Sequence, residues 1–269
     1  MSYRKKIDIL ILILLPLVTV SALLLWQVNF LISTIFFFGL PIIYLLIRNK
    51  SLFKKAFVFS LTCSVPATIL FDYLVVRDGG WYIIKTVFSF RLFDVIALEQ
   101  FVWGFLWLFY SILFYECFLN KPPRKSLISF FVKADVLIAK RLEYFLMIVF
   151  AALLLFIFLI YFAPEVLALQ FAYLILGTVL MIIPLTIFLF KFPNFVTRFF
   201  WAMLYFFFFS ALIEYVGLSL GHWVFPGENF LGVIDFFGFR MPYEEILIYF
   251  LCFTPAALAY YEFLADDRR

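Results

Sequence analysis

Charge is scarce in this 269-residue chain: 14% of its residues are charged and 67% are apolar. A soluble domain carries about a quarter charged residues, so a soluble fold is excluded. The chain has one histidine, His222, which argues against a histidine-based metal site. Its three cysteines, Cys63, Cys117 and Cys252, fall inside apolar runs without paired spacing. They read as small core residues, not as a disulfide framework or a redox pair. There is no G-x-G-x-x-G, no P-loop and no H-E-x-x-H. No aspartate-rich pair lies inside the apolar runs; Asp266-Asp267 stands at the C-terminal end. Nucleotide- and metal-driven chemistry is therefore disfavoured, and no cofactor is expected. The net charge of +4 is spread over loops and makes no nucleic-acid footprint.

What the chain does have is long apolar runs, several exceeding the ~18 residues needed to cross a ~30 Å hydrocarbon layer. They predict an all-α polytopic bundle of about eight helices, near 7–26, 29–47, 56–76, 95–119, 142–163, 166–190, 199–220 and 242–264. Arg4, Lys5 and Lys6 precede the first run, but no small-residue cleavage site follows before Trp26, so the first helix is expected to be retained. Most of the 21 basic residues fall on one side of this alternation, leaving Arg77, Lys85, Arg91 and Arg240 on the other. That bias predicts cytoplasmic N- and C-termini in the cell membrane. Lys121-Pro-Pro-Arg-Lys125 cannot continue a helix, and Ser126 to Lys140 reads as a headgroup-plane segment or a loop.

The two halves repeat. Asp72, Gly79 and Trp81 recur as Glu214, Gly221 and Trp223, offset by 142; Glu99 recurs as Glu244, offset by 145; Tyr115-Glu116 recurs as Tyr261-Glu262, offset by 146. The expected organisation is a first four-helix repeat over 1–120, a basic cytoplasmic linker over 121–141 and a second repeat over 142–269. Four helices is an even number, so the repeats are parallel and share an axis along the membrane normal.

Ionisable residues in a membrane segment are functional candidates by default. Asp72, Glu99, Glu214, Glu244 and Glu245 all fall toward the non-cytoplasmic ends of their helices. Glu116 and Glu262 lie about 26 Å further along, at 1.5 Å per residue, and read as solvated ends. Asp94 and Asp235 read as helix caps. Arg91 and Arg240 are available to pair with a nearby acid. Glu244 and Glu245 are about 100° apart on a helix, so one is expected to face a cavity and the other a neighbouring helix or Arg240. Trp81, Trp103, Trp107, Trp223 and Tyr249 are within reach of the acids and suit a cation; Trp81 and Trp223 also read as interfacial belt residues.

Met241-Pro242-Tyr243-Glu244-Glu245, opening an apolar helix in tandem membrane repeats, resembles the motif of the lycopene cyclase domain family. The approach through Glu214-Tyr215-Val216-Gly217, Gly221-His222-Trp223 and Phe225-Pro226-Gly227 is similar too. The resemblance covers roughly 199–265 strongly and 56–119 moderately. It implies an intramolecular lyase of carotenoid biosynthesis that cyclises the ends of lycopene, or of a related linear carotenoid, without net redox. Glu244 or Glu245 would be the acid, and Glu99 with Asp72 or Glu214 the base or counter-charge. In the first half Ala97 replaces the proline and Gln100 the second glutamate, so the halves are not expected to be equivalent sites. A carotenoid hydratase and a proton-coupled transporter are the alternatives. Besides substrate and bilayer, a homo-oligomer or association with other carotenoid enzymes is left open.

Overall fold

A computed structural model describes residues 3–120 and 128–265. Among these residues, eight helices are long and apolar enough to span a membrane: α1 (Lys5–Trp26), α2 (Phe30–Arg48), α3 (Phe53–Arg77), α4 (Leu98–Phe118), α5 (Glu143–Phe162), α6 (Ala172–Lys191), α7 (Pro193–Ser219) and α8 (Glu245–Leu264). The chain is an all-α membrane bundle. In lipid each backbone N–H and C=O must be satisfied within the protein, and a helix does this inside one segment. The Lys121-Pro-Pro-Arg-Lys125 hinge and the Asp266-Asp267 pair lie outside the described residues.

Three departures from the sequence expectation have local causes. The helix containing α5 begins at Ile128 and runs unbroken to Phe162. No proline or glycine interrupts it, so the segment expected in the headgroup plane or as a loop continues the fifth helix from Ile128 on. The fourth helix starts at Leu98, because Arg91–Leu92 (β2) and Ile96–Ala97 (β3) form a hairpin first. The sixth starts at Ala172, after a 3-10 turn at Pro164–Leu167. Asp78 holds that start by accepting the Ala172 N–H at 2.8 Å.

Corresponding residues of the two halves meet at both ends of the bundle. At the hairpin end, Tyr82–Ile83 (β1) pairs antiparallel with Trp223–Val224 (β4), Tyr82 opposite Val224. A second hairpin, Val233–Phe236 (β5) with Phe239–Pro242 (β6), precedes α8. Asp94 and Asp235 sit in these hairpins and are not helix caps: Asp94 has φ 60°, and Asp235 accepts the Gly238 N–H at 2.7 Å across the turn. At the opposite end, Tyr115 donates to Glu262 Oε1 at 2.5 Å and Tyr261 donates to Glu116 Oε1 at 2.6 Å. Lys55 Nζ stands 4.0 Å from Glu116. Glu116 and Glu262 are therefore not solvated ends. Glu262 is fully buried, the Glu116 side chain is 3% exposed, and each is bonded by the tyrosine of the other half.

Prolines mark matched places. A π-helical turn at Ile35–Gly39 precedes Pro41 in α2, and one at Thr178–Ile182 precedes Pro184 in α6. Proline lacks an N–H and crowds the carbonyl four residues back; a widened turn accommodates it. A third π turn, Glu245–Phe250, opens α8, and α4 has no such turn. It takes up the one extra residue by which the interval from Glu244 to Tyr261 exceeds that from Glu99 to Tyr115.

Removing one hydroxyl of the reciprocal clamp strips a buried carboxylate of a charge-assisted bond, which costs about 1–3 kcal/mol. Tyr115→Phe and Tyr261→Phe are each expected to lower the thermal unfolding midpoint in detergent by several degrees. Phe114→Leu, a volume change in the same region, is expected to do less. Equal midpoints for wild type and both tyrosine variants would refute the clamp.

Candidate functional site

One cavity of about 380 Å³ lies between the halves, walled by α3 to α8 and roofed by Trp81 and Trp223 at the hairpin end. Helix α3 presents Ser64, Thr68 and Asp72 to it at four-residue spacing, one helical face. Helix α4 contributes Gln100, Trp103 and Trp107, α7 contributes Ser210 and Glu214, and α8 contributes Glu245 and Tyr249. Tyr173 enters from α6, and Phe145, Val149 and Leu153 of α5 close a side. The walls are otherwise aliphatic and aromatic.

The three carboxyl groups in this cavity are held differently. Glu245 accepts a hydrogen bond from the Tyr173 hydroxyl. The Tyr173 ring stacks on Tyr249 at 4.2 Å, and Tyr249 donates to the Tyr173 carbonyl at 2.6 Å. Gly177 allows this approach of α6 to α8: a Cβ there would lie 2.6 Å from Ile248 Cγ2. Glu214 accepts the Trp223 Nε1–H at 2.8 Å. The Trp223 ring packs directly against Gly217, where a Cβ would fall 2.1 Å from Cη2. Asp72 is 5% exposed and has no hydrogen-bond partner among the described residues. No basic side chain pairs with any of the three among the described residues. Nor do they form a group with metal-site geometry.

The other two candidate acids do not face the cavity. Glu244 is fully buried and its Oε1 accepts the Leu231 N–H at 2.6 Å. Glu99 is also fully buried and accepts the N–H groups of Val87 and Phe88. Both anchor the loop ahead of their hairpin. The ~100° step between neighbouring helical residues gives Glu245 the cavity and Glu244 the loop backbone. Arg240 meets neither: it reaches the Gly227 carbonyl at 2.8 Å and Glu228 at 3.1 Å. Arg91 likewise donates to the Ile83 carbonyl at 2.7 Å. By its position next to Glu99, Gln100 is the counterpart of Glu245, and it is Gln100 that lines the cavity.

All five aromatic candidates, Trp81, Trp103, Trp107, Trp223 and Tyr249, line the same cavity. Trp103 and Trp107 are 5.0 Å apart, and Trp107 Nε1 donates to Thr254 at 3.3 Å. Sequence reasoning named Gln100 only as a departure from the motif, and it gave no place to Tyr173, Ser64, Thr68 or Ser210, which also line the cavity. The position of Gln100 beside Glu99 was the signal for it; Tyr173 had none, being one hydroxyl in an apolar run.

His222 lies outside the cavity, 3% exposed, with Nε2 3.0 Å from the Val28 carbonyl. Its Nδ1 has no partner among the described residues. Burial pushes its imidazole below the ordinary histidine range, partly opposed by the Val28 bond. No protein-family model, characterised protein or solved structure matches this chain.

Two tests follow from these contacts. In an isolated helix Gly→Ala gains up to ~1 kcal/mol, but at Gly217 the Trp223 ring must move, and overpacking costs about 1–3 kcal/mol. Gly217→Ala is expected to shift tryptophan emission and lower the unfolding midpoint. Gly39→Ala, where a Cβ meets only Ile35 at 3.7 Å, is expected to do neither. For His222 the folded chain resists a proton that the unfolded chain takes up near pH ~6.5. The associated stability is present above that pH and lost as pH falls below it. Between pH 7.5 and 5 the unfolding midpoint of wild type should fall more than that of His222→Gln, whose amide keeps a donor for Val28. Parallel curves would show that His222 is not the group involved.

Proposed function

We propose that this chain is a membrane enzyme that cyclises the end group of a linear carotenoid, lycopene being the substrate that the sequence resemblance suggests. The observation that carries the reading is the convergence of Glu245, Glu214 and Asp72, without a basic partner, in one apolar cavity with aromatic walls. Such a cavity suits a long hydrocarbon. The reaction it supports is a proton-initiated isomerisation.

In this reading Glu245, in its acid form, gives a proton to the terminal alkene. The π electrons of a double bond further along the chain close the ring on the tertiary cation. A ring proton then leaves to a carboxylate, and the ring alkene forms; the proton count is unchanged. Tyr173 donates to the carboxylate that Glu245 becomes, which favours release of the proton. Asp72, unpartnered, is the base. Trp103, Trp107 and Trp223 offer ring faces to the cation, each worth up to ~2 kcal/mol when desolvated. Glu214, held by Trp223, supplies a second carboxyl beside Glu245. Glu99 and Glu244 have a supporting part, fixing the loops that carry the tryptophan roof.

Proton-coupled transport requires a wet path from these acids to Glu116 or Glu262. The cavity lining includes neither, and both are bonded within the tyrosine clamp. That weighs for a closed reaction chamber.

In a lycopene-accumulating host, wild type is expected to convert lycopene to ringed pigments, read by chromatography. Glu245→Gln should cut conversion by about 10²–10⁴-fold, the range for losing a general acid. Glu244→Gln should keep most activity, since a glutamine oxygen still accepts the Leu231 N–H. Unchanged lycopene beside well-inserted wild-type protein would refute the reading. So would an active Glu245→Gln.

A further inference from the structure

Four polar groups line the cavity without a hydrogen-bond partner among the described residues: the Asp72 carboxylate, the Gln100 amide oxygen, the Trp81 Nε1–H and, two turns along α3 from Asp72, the Ser64 hydroxyl. The first three occupy one corner. A Cβ on Gly104 would lie 2.9 Å from Thr68 Oγ1, which fixes where α3 and α4 touch. The two helices are antiparallel neighbours, so one turn toward the hairpin end sets Asp72 opposite Gln100. Trp103, on the same face as Gln100 one turn on, meets the Trp81 ring edge-on at 6.1 Å.

The corner built by the matched residues of the second half is complete. Glu214 has Trp223, and Glu245 has Tyr173. In the first half Tyr173 is matched by Phe30, offset by 143 as Pro184 is from Pro41. Phe30 has no hydroxyl to offer Gln100, and its ring lies 5.7 Å from Trp223. Buried polar groups in proteins are almost all satisfied, so three orphans gathered in one corner of the cavity point to an occupant.

We propose that the Asp72–Gln100–Trp81 corner is a second subsite, which binds a hydroxyl oxygen. The occupant must donate to Asp72 or Gln100 and accept from Trp81. A hydroxyl does both. An anion is repelled by Asp72, an ammonium cannot accept from Trp81, and a ketone has nothing to donate. The oxygen is either water or the terminal hydroxyl of a long apolar substrate. The subsite rests on the reading of the cavity as a polyene chamber, and it widens the substrate class from hydrocarbons to their alcohols. With water there, capture of the cation is a further outcome: a water lone pair forms the C–O bond, the water proton passes to Asp72, and the net reaction adds H₂O to the alkene.

The test uses the full chain in lipid nanodiscs. Dissociation constants for lycopene and for the same polyene bearing one terminal hydroxyl are read by quenching of tryptophan emission. If the substrate's own hydroxyl fills the corner, the alcohol binds about three- to ten-fold tighter, the worth of one net hydrogen bond. That ratio then falls to near one in Gln100→Leu and in Trp81→Phe. If water fills it, lycopene turned over in H₂¹⁸O yields an alcohol carrying ¹⁸O, and the yield drops in Gln100→Leu. A wild-type ratio near one together with no ¹⁸O product would overturn the subsite, as would a preference that survives both substitutions. The binding ratio needs no turnover, so it stays readable if Glu245→Gln shows that cyclisation is wrong.

Discussion

In hydrocarbon a polar group has no water to turn to, and this single constraint orders the whole bundle. Each buried donor or acceptor either finds a protein partner or marks a place meant for something else. At the far end the partners are reciprocal: the tyrosine of each half serves the glutamate of the other. At the hairpin end two short strands, one from each half, share a ladder. Both ends are thus closed by contacts that only the assembled pair of halves can make. Between them lies the chamber, where the pairing is incomplete.

The incompleteness is one-sided. On the Glu245 side every acid in the chamber has a donor; on the Gln100 side none does. The aromatic packing is one-sided too. Around α2, α4 and α7 the interior is filled by rings such as Phe38, Tyr110, Phe206 and Phe209, and the void left beside His222 is about 10 Å³. Matched helices thus enclose a chamber on one side and a solid core on the other. A few substitutions between the halves, Phe30 for Tyr173 and Gln100 for Glu245, go with that difference.

The sequence told much about the bundle and less about the chamber. Eight apolar runs are long signals, and they located every membrane span, though the fifth helix begins at Ile128, well ahead of its apolar run. Boundaries slipped where short backbone devices intervened, as at the hairpins before α4 and α8, because strands of two to four residues leave little or no periodicity. Acidity misled at Glu99 and Glu116. A carboxylate in an apolar run announces itself, but not whether it serves a loop N–H, a tyrosine or a cavity. Gln100 shows the converse: its place beside Glu99 mattered more than its lack of charge. Tyr173 was invisible, since one hydroxyl among leucines and alanines becomes meaningful only when α6 is packed against α8.

The widened turn at the start of α8 has a consequence for how the Glu245 carboxyl is aimed. Below it, Tyr261 and Glu262 are locked to the other half, so that part of the helix keeps its rotation. Above it, one supernumerary residue decides which way Glu245 looks. Deleting a single residue between Ile246 and Phe250 would tighten the turn to an ordinary helix and swing Glu245 by about 100°, off the chamber and toward its wall. The fold would survive with its acid facing the wrong way. Orientation here is a matter of counting along the chain, and between the two halves the count changes by one.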